Sequence, residues 1–336
     1  MTWKEKRIVT ALCTVICILL AALLIVFSIR YRQNRQAQAE AEANVNLPVV
    51  GETVEEGAFV GLRLKTDSAS LTFSMDQNGR WIWADTPDFP LNDETVLAIL
   101  ELLESPKPQQ TLPAEGGPEA YGLSSPAASV TATRTDGTEM TVLLGKATTD
   151  GKSRYAMFNG DEATVYILDG GLYDLLHTPV YQMMQLPQLP ELTEEALLSV
   201  TVLGPLKDDG TALTVELTAQ PQEDGSVRWS DGSADVTDSK LTAALVDDVL
   251  HLALTRCIDY APSEGAVEIC GLNDPAAVLT VRYASGDAEQ ELQLAVGGRL
   301  TDGSGRYLRI SGDDTIYFLP TELLDPLMHI AAHGLN

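Results

Sequence analysis

The chain repeats itself. Tyr121-Gly122-Leu123-Ser124-Ser125-Pro126-Ala127-Ala128 returns 149 residues later as Cys270-Gly271-Leu272-Asn273-Asp274-Pro275-Ala276-Ala277. Thr149-Asp150-Gly151 with Arg154-Tyr155 recurs as Thr301-Asp302-Gly303 with Arg306-Tyr307, and Val165-Tyr166-Ile167-Leu168 as Ile316-Tyr317-Phe318-Leu319. Leu172 and Leu176 then correspond to Leu323 and Leu327. Such a chain must fold as two versions of one plan, and its 336 residues suit two lobes that each bury a core. We place the lobes at 51–180 and 181–336, with Pro179, Pro187 and Pro190 marking the junction.

Within each lobe the apolar residues alternate over short runs separated by turn residues. Phe59 to Leu64 and Leu71 to Met75 read as strands, and Asn78-Gly79 before Trp81-Ile82-Trp83 signals a tight hairpin. Asn92-Asp93-Glu94-Thr95 opens a helix with Val96, Ile99, Leu100 and Leu103 on one face, stopped by Pro106 and Pro108. After a Pro/Gly-rich loop come four strands, around Val130–Thr133, Met140–Gly145, Tyr155–Phe158 and Val165–Leu168, and a short helix from about Gly171. The second lobe replays this order. Strands are expected near Leu198–Val202, Leu213–Leu217 and Val227–Trp229, then a helix capped by Thr237 or Asp238 that carries Leu241, Leu245, Val249 and Leu252. A meander from Val278 to Leu319 follows, and a terminal segment from Thr321 to Ala332 closes the chain. Turns rather than helical crossovers join these strands, so the expected class is α+β, each lobe a mainly antiparallel sheet with a packed helix.

Ahead of the lobes, Ile8 to Ile29 contains no charged residue over 22 positions, about 33 Å of helix and enough to span a bilayer. Arg30 follows with no small-residue cleavage site, so this segment is expected to stay as a transmembrane anchor. Residues 1–7 form a cationic head and 30–50 a stalk rich in Gln, Ala, Arg and Glu. Lys4, Lys6 and Arg7 oppose Arg30, Arg32 and Arg35 almost evenly across the membrane. The seven-residue cationic head favours a cytoplasmic N-terminus and an extracytoplasmic body at the cell membrane.

The first 35 residues carry six basic residues against one Glu, a net +5, so the remainder of a chain of net −26 carries −31. Such a body repels nucleic acid and anionic headgroups, which argues against a polyphosphate-binding role; a cationic partner is compatible with it. Gly145-Lys146-Ala147-Thr148-Thr149-Asp150-Gly151-Lys152-Ser153 resembles a phosphate loop but has five residues between its glycines and joins two strands, which makes it a hairpin loop. His329 and His333 lie four apart near the terminus, with His177 ending the matching segment of the first lobe. Two imidazoles without further ligands do not make a metal site. Cys257 and Cys270 have no zinc spacing; a disulfide between them and a packing role for Cys270 are both open. Trp81, Trp83 and Trp229 read as packing between sheet and helix rather than a ligand platform. Asp150, Arg154 and Tyr155 with Asp302, Arg306 and Tyr307 are the most symmetrical polar set, and so the candidate recognition loops. The simpler reading is an Asp-Gly bend with Arg and Tyr packed across strands. No catalytic motif is present in the sequence, and no cofactor or metal is expected.

A Gly-x-Trp-like hairpin, a capped helix, Tyr121-Gly122-Leu123 with Pro126, an Asp-Gly turn, Leu143-Leu144-Gly145, the Arg154-Tyr155 strand and Val165-Tyr166-x-Leu168 together resemble the bacterial family catalogued as domain of unknown function 4340. Cys270-Gly271-Leu272 with Pro275 repeats the signature more loosely, as a second tandem copy. The resemblance implies an envelope protein, in some genomes beside ABC-type transport components related to gliding-motility systems, and offers no catalytic residues. The expected function is a non-enzymatic accessory or adaptor of a cell-envelope membrane complex, with ABC-transporter subunits as candidate partners. A binding module for an envelope glycan or small ligand, using a cleft between the lobes, is the alternative. A hydrolase of envelope polymer using Asp150 or Asp302 is the third.

Overall fold

The computed structural model of the protein describes residues 59–335. The expected cationic head, transmembrane anchor and stalk lie outside the described residues. Among the described residues no helix is long and apolar enough to cross a membrane.

The first half forms an eight-stranded sheet from β1 (Phe59–Thr66), β2 (Ser70–Met75), β3 (Trp81–Trp83), β4 (Gln110–Pro113), β5 (Ala128–Arg134), β6 (Glu139–Ala147), β7 (Ser153–Phe158) and β8 (Thr164–Asp169). Its order is β3-β2-β1-β5-β6-β7-β8-β4. The second half repeats it with β9 (Leu197–Leu203), β10 (Thr214–Pro221), β11 (Val227–Ser230), β12 (Arg256–Asp259), β13 (Ala277–Ser285), β14 (Ala288–Arg299), β15 (Gly305–Ile310) and β16 (Ile316–Pro320), in the order β11-β10-β9-β13-β14-β15-β16-β12. Each strand number in the second order exceeds its counterpart in the first by eight, so the two halves share one topology. The resolved ladders are antiparallel, as turn-joined strands of alternating burial require.

Helix α1 (Glu94–Glu104) follows β3, and its Val96, Ile99, Leu100 and Leu103 are buried as the 3.6-residue period demands. The Asn92 carboxamide accepts a hydrogen bond from the Glu94 amide at 3.1 Å and starts the first turn. Helix α2 (Gly171–Leu176) buries Leu172 and Leu176 against β1 and β5. In the second half the helix after β11 is α3 (Lys240–Leu250). It is capped by Ser239, whose hydroxyl accepts from the Thr242 amide, and not by Thr237 or Asp238. The Thr237 hydroxyl is already used, accepting from the Trp229 amide at 2.8 Å. Thr242, Leu245, Val246 and Val249 form its buried face. Leu241 is only partly covered, and Leu252 lies beyond the helix end.

Three elements fall outside the sequence expectation. Edge strands β4 and β12 are four residues each, and the helix α4 (Glu264–Ile269) occupies what read as loop. The chain closes with α5 (Asp325–His333), packed on β9, β10, β13 and α3.

By packing, one compact unit comprises described residues 59–70 and 97–176, and the other 71–96 and 177–335. The core of the second unit gathers Leu197, Val200, Leu217, Trp229, Leu279 and Tyr317 from its strands with Leu327 and Ile330 from α5, and it includes Phe89 from the loop after β3. Trp83 meets Phe89 edge-on at 5.4 Å, Phe89 meets Tyr260 at 5.1 Å, and the Tyr260 hydroxyl donates to the Asp88 carbonyl at 2.9 Å. Full burial of the Phe89 ring stabilises the unit by roughly 1.5–3 kcal/mol, and the partly buried Trp83 and Tyr260 rings pack against it.

Candidate functional site

The repeated polar set sits in the β6–β7 hairpin of the first unit and the β14–β15 hairpin of the second. Asp150 accepts from the Thr148 hydroxyl at 2.6 Å and the Lys152 amide at 3.1 Å. Asp302 accepts from the Ser304 amide at 2.9 Å and the Ser304 hydroxyl at 2.7 Å. In each hairpin these bonds, led by Thr148 for Asp150 and by the Ser304 amide for Asp302, hold the carboxyl below the usual carboxylate range. Both are ionised turn-formers.

The arginines point the other way. Arg154 donates to the Gly145 carbonyl at 3.0 Å, with its guanidinium 3.3 Å from the centroid of the Tyr173 ring. Arg306 donates to the Gly297 carbonyl at 2.8 Å, and burial, with Arg299 adding to it, pulls its pKa below the ordinary arginine value. Tyr155 packs edge-on against Tyr121 at 5.0 Å, and Tyr307 lies on a small core of Val267, Cys270, Leu272 and Ile316. In neither hairpin do the carboxylate, guanidinium and phenol converge on one point; each is committed to its own backbone or ring partner.

The duplicated signature explains where those arginines go. Gly122 and Gly271 adopt φ of 75° and 67° after a helical turn, a conformation glycine takes without strain. The carbonyl of the preceding residue, Tyr121 or Cys270, is then pressed onto Gly145 or Gly297, where any side chain would overlap it. The arginine, nine residues after that glycine, donates to the glycine's own carbonyl from the neighbouring strand. Leu123 and Leu272 are buried beside the contact. The signature is therefore a backbone clamp.

The phosphate-loop lookalike is the β6–β7 hairpin, with the Lys146 ammonium donating to the Ala120 carbonyl at 3.2 Å. His329 and His333 stack at 4.9 Å on the exposed side of α5. Among the described residues no three His, Cys, Asp or Glu side chains come together as a metal site. Cys257 and Cys270 are buried and unbonded; burial pushes the Cys257 thiol up to about 12 and raises that of Cys270. Trp81 and Trp229 are buried, and the Trp229 indole N–H donates to Glu194 at 3.0 Å.

One feature was missed by sequence reading. The second unit carries an open groove of about 1010 Å³ between α4 and the β15–β16 turn, bordered by Glu264, Glu268, Arg309, Asp313 and Asp314. Aligning the two copies residue by residue would have flagged it, because Arg309 stands where the first copy holds Met157.

The model of the family described as Domain of unknown function (DUF4340) matches residues 81–268, more than half of the chain. No curated protein matches, and no solved structure matches.

Proposed function

This chain belongs to the DUF4340 family, and on that premise we propose that it is a single-pass, membrane-anchored extracytoplasmic protein that acts without catalysis as an accessory or adaptor of a cell-envelope membrane complex, with ABC-transporter subunits as the partner class. The observation that carries the reading is the use of the duplicated polar residues. Asp150, Arg154, Asp302 and Arg306 spend their hydrogen bonds on nearby turns and strands. A duplication whose most regular polar residues serve the backbone preserves a shape, which is what a scaffold presents to a partner. The charge-free run from Ile8 to Ile29 supplies the anchor in this reading, and the −31 of the remainder keeps the body dispersed and receptive to basic partner surfaces.

The test is crosslinking of the full chain in its native membrane, anchor intact, followed by purification and identification of what stays attached. Transporter subunits in a fixed ratio are the expected result. Recovery of this protein alone would sink the adaptor reading.

A further inference from the structure

The two copies differ at one place in a way that changes what the surface can do. In the first unit a small core of Leu123, Met157 and Val165 is covered by Tyr121, Leu143 and Tyr155, and Met157 is only 6% exposed. In the second unit Leu272 and Ile316 keep the places of Leu123 and Val165, but Cys270 replaces Tyr121. The cross-strand pair Leu143–Met157 becomes Ala295–Arg309. Three bulky apolar fillers are thus lost or turned polar at equivalent positions.

The chain over this site is also rebuilt. Residues 260–276 link β12 to β13 and include α4, whereas the matching residues 114–127 are three fewer and make only a single turn, Pro118–Tyr121. The second core is filled instead by Val267 of α4 and by Ile258, and Arg309, at the position of Met157, borders the open groove beside it. Arg309 is half-buried beside the groove and its guanidinium makes no hydrogen bond or ion pair among the described residues, and the carboxylates of Glu264, Glu268 and Asp314 are likewise unpaired there. Asp313 is committed, accepting from the Tyr317 hydroxyl at 2.6 Å and the Thr315 amide at 2.8 Å. Holding a guanidinium half out of water without a partner is unfavourable, and a ligand carboxylate would relieve it through a bidentate pair. Three unpaired carboxylates in the same groove favour ammonium groups on that ligand. The volume, at the upper end of small-molecule sites, suits several linked residues rather than one amino acid.

We propose that this groove binds a short peptide bearing a free carboxylate and at least one ammonium group, with Arg309 receiving the carboxylate and Glu264, Glu268 and Asp314 the ammonium. The site goes beyond the adaptor reading and stands independently of it.

Calorimetric titration of the full chain in detergent with the tripeptide Lys-Ala-Ala tests it, with the C-terminally amidated tripeptide and free lysine as comparison ligands. Saturable binding of the tripeptide is expected, weakened about tenfold or more by amidation and by Arg309→Met. Methionine occupies the matching position of the first copy, so that variant should fold; Arg309→Gln serves if it does not. Glu264→Gln with Glu268→Gln should weaken binding relative to the parent by a factor that grows as salt is lowered, because the attraction removed is then less screened. No saturable binding at millimolar peptide, or equal binding by the amidated peptide and by Arg309→Met, overturns the proposal. Free lysine binding as tightly as the tripeptide overturns the peptide assignment.

Discussion

The carbonyl oxygen of Cys270 lies on Gly297 so closely that a Cβ there would overlap it, while the adjacent Gly298 amide donates to the same oxygen at 2.8 Å. The first copy repeats the approach between Tyr121 and Gly145. Gly297→Ala must push the α4–β13 connection off the sheet, and the obstacle is backbone, which cannot rotate away. A loss of about 1–3 kcal/mol is expected for Gly297→Ala or Gly145→Ala in urea unfolding of the full chain. Glycines at hairpin tips with open space around them, such as Gly303, should cost less, through positive φ alone. Equal losses at Gly297 and Gly303 would contradict the clamp.

Asp150 and Asp302 make the bends of their hairpins, and their hydrogen bonds stay within those turns. Asp150→Ala and Asp302→Ala, alone and together, should lower the Tm slightly and leave partner association unchanged. A folded double variant that loses its crosslinked partner would make these loops recognition elements after all.

Asp248 on α3 contributes a pH dependence of its own. One of its carboxylate oxygens is buried without a partner. Desolvation first, then Asp247 on the same helix and Asp325 at the start of α5, push its pKa up to about 6, with His251 opposing them. The folded value lies above the ordinary 3.8, so the fold favours the protonated form. Its stabilising contribution is complete below about pH 4 and is lost as pH rises through about 6. Asp248→Asn should therefore gain stability relative to the parent as pH rises from 4 to 8. Urea midpoints of the two proteins across that range check it, and parallel curves would count against the assignment.

Cys257 and Cys270 should both resist iodoacetamide at pH 8 while the protein is folded and react once it is unfolded, as read from the masses of their tryptic peptides. Burial both blocks access and keeps the thiols protonated. A disulfide-linked peptide containing the two would contradict the structure.

Much of the fold was legible because it is built from local rules. Alternation marked β1, β2 and β5 to β8, and Asn78-Gly79 marked the hairpin that joins β2 to β3, where Gly79 takes a φ of 77°. Strands β4 and β12 were not legible. Four residues carry too little period to register, and Gln110–Pro113 is a strand only because β8 offers it an edge some fifty residues away in sequence. Helix α3 shows the same limit on a smaller scale. Thr237, Asp238 and Ser239 are all good caps, and the choice fell to Ser239 because Trp229, from another strand, had already taken the Thr237 hydroxyl.

The sequence alone determined the duplication, the antiparallel class and the membership of a family, since each rests on residue order and short-range spacing. Which residues are free to meet a ligand was decided by the tertiary structure. The repeated Asp and Arg pairs were candidate recognition loops in the sequence, with a simple bend as the plainer reading, and in the fold they bond to nearby turn and backbone groups. Arg309 looked like an ordinary strand residue and stands unpaired in a groove. A side chain's availability depends on what neighbours from distant segments cover: Met157 is enclosed in the small core of the first copy, whereas Arg309 at the matching position borders a groove beside α4, which one strand's sequence could not reveal.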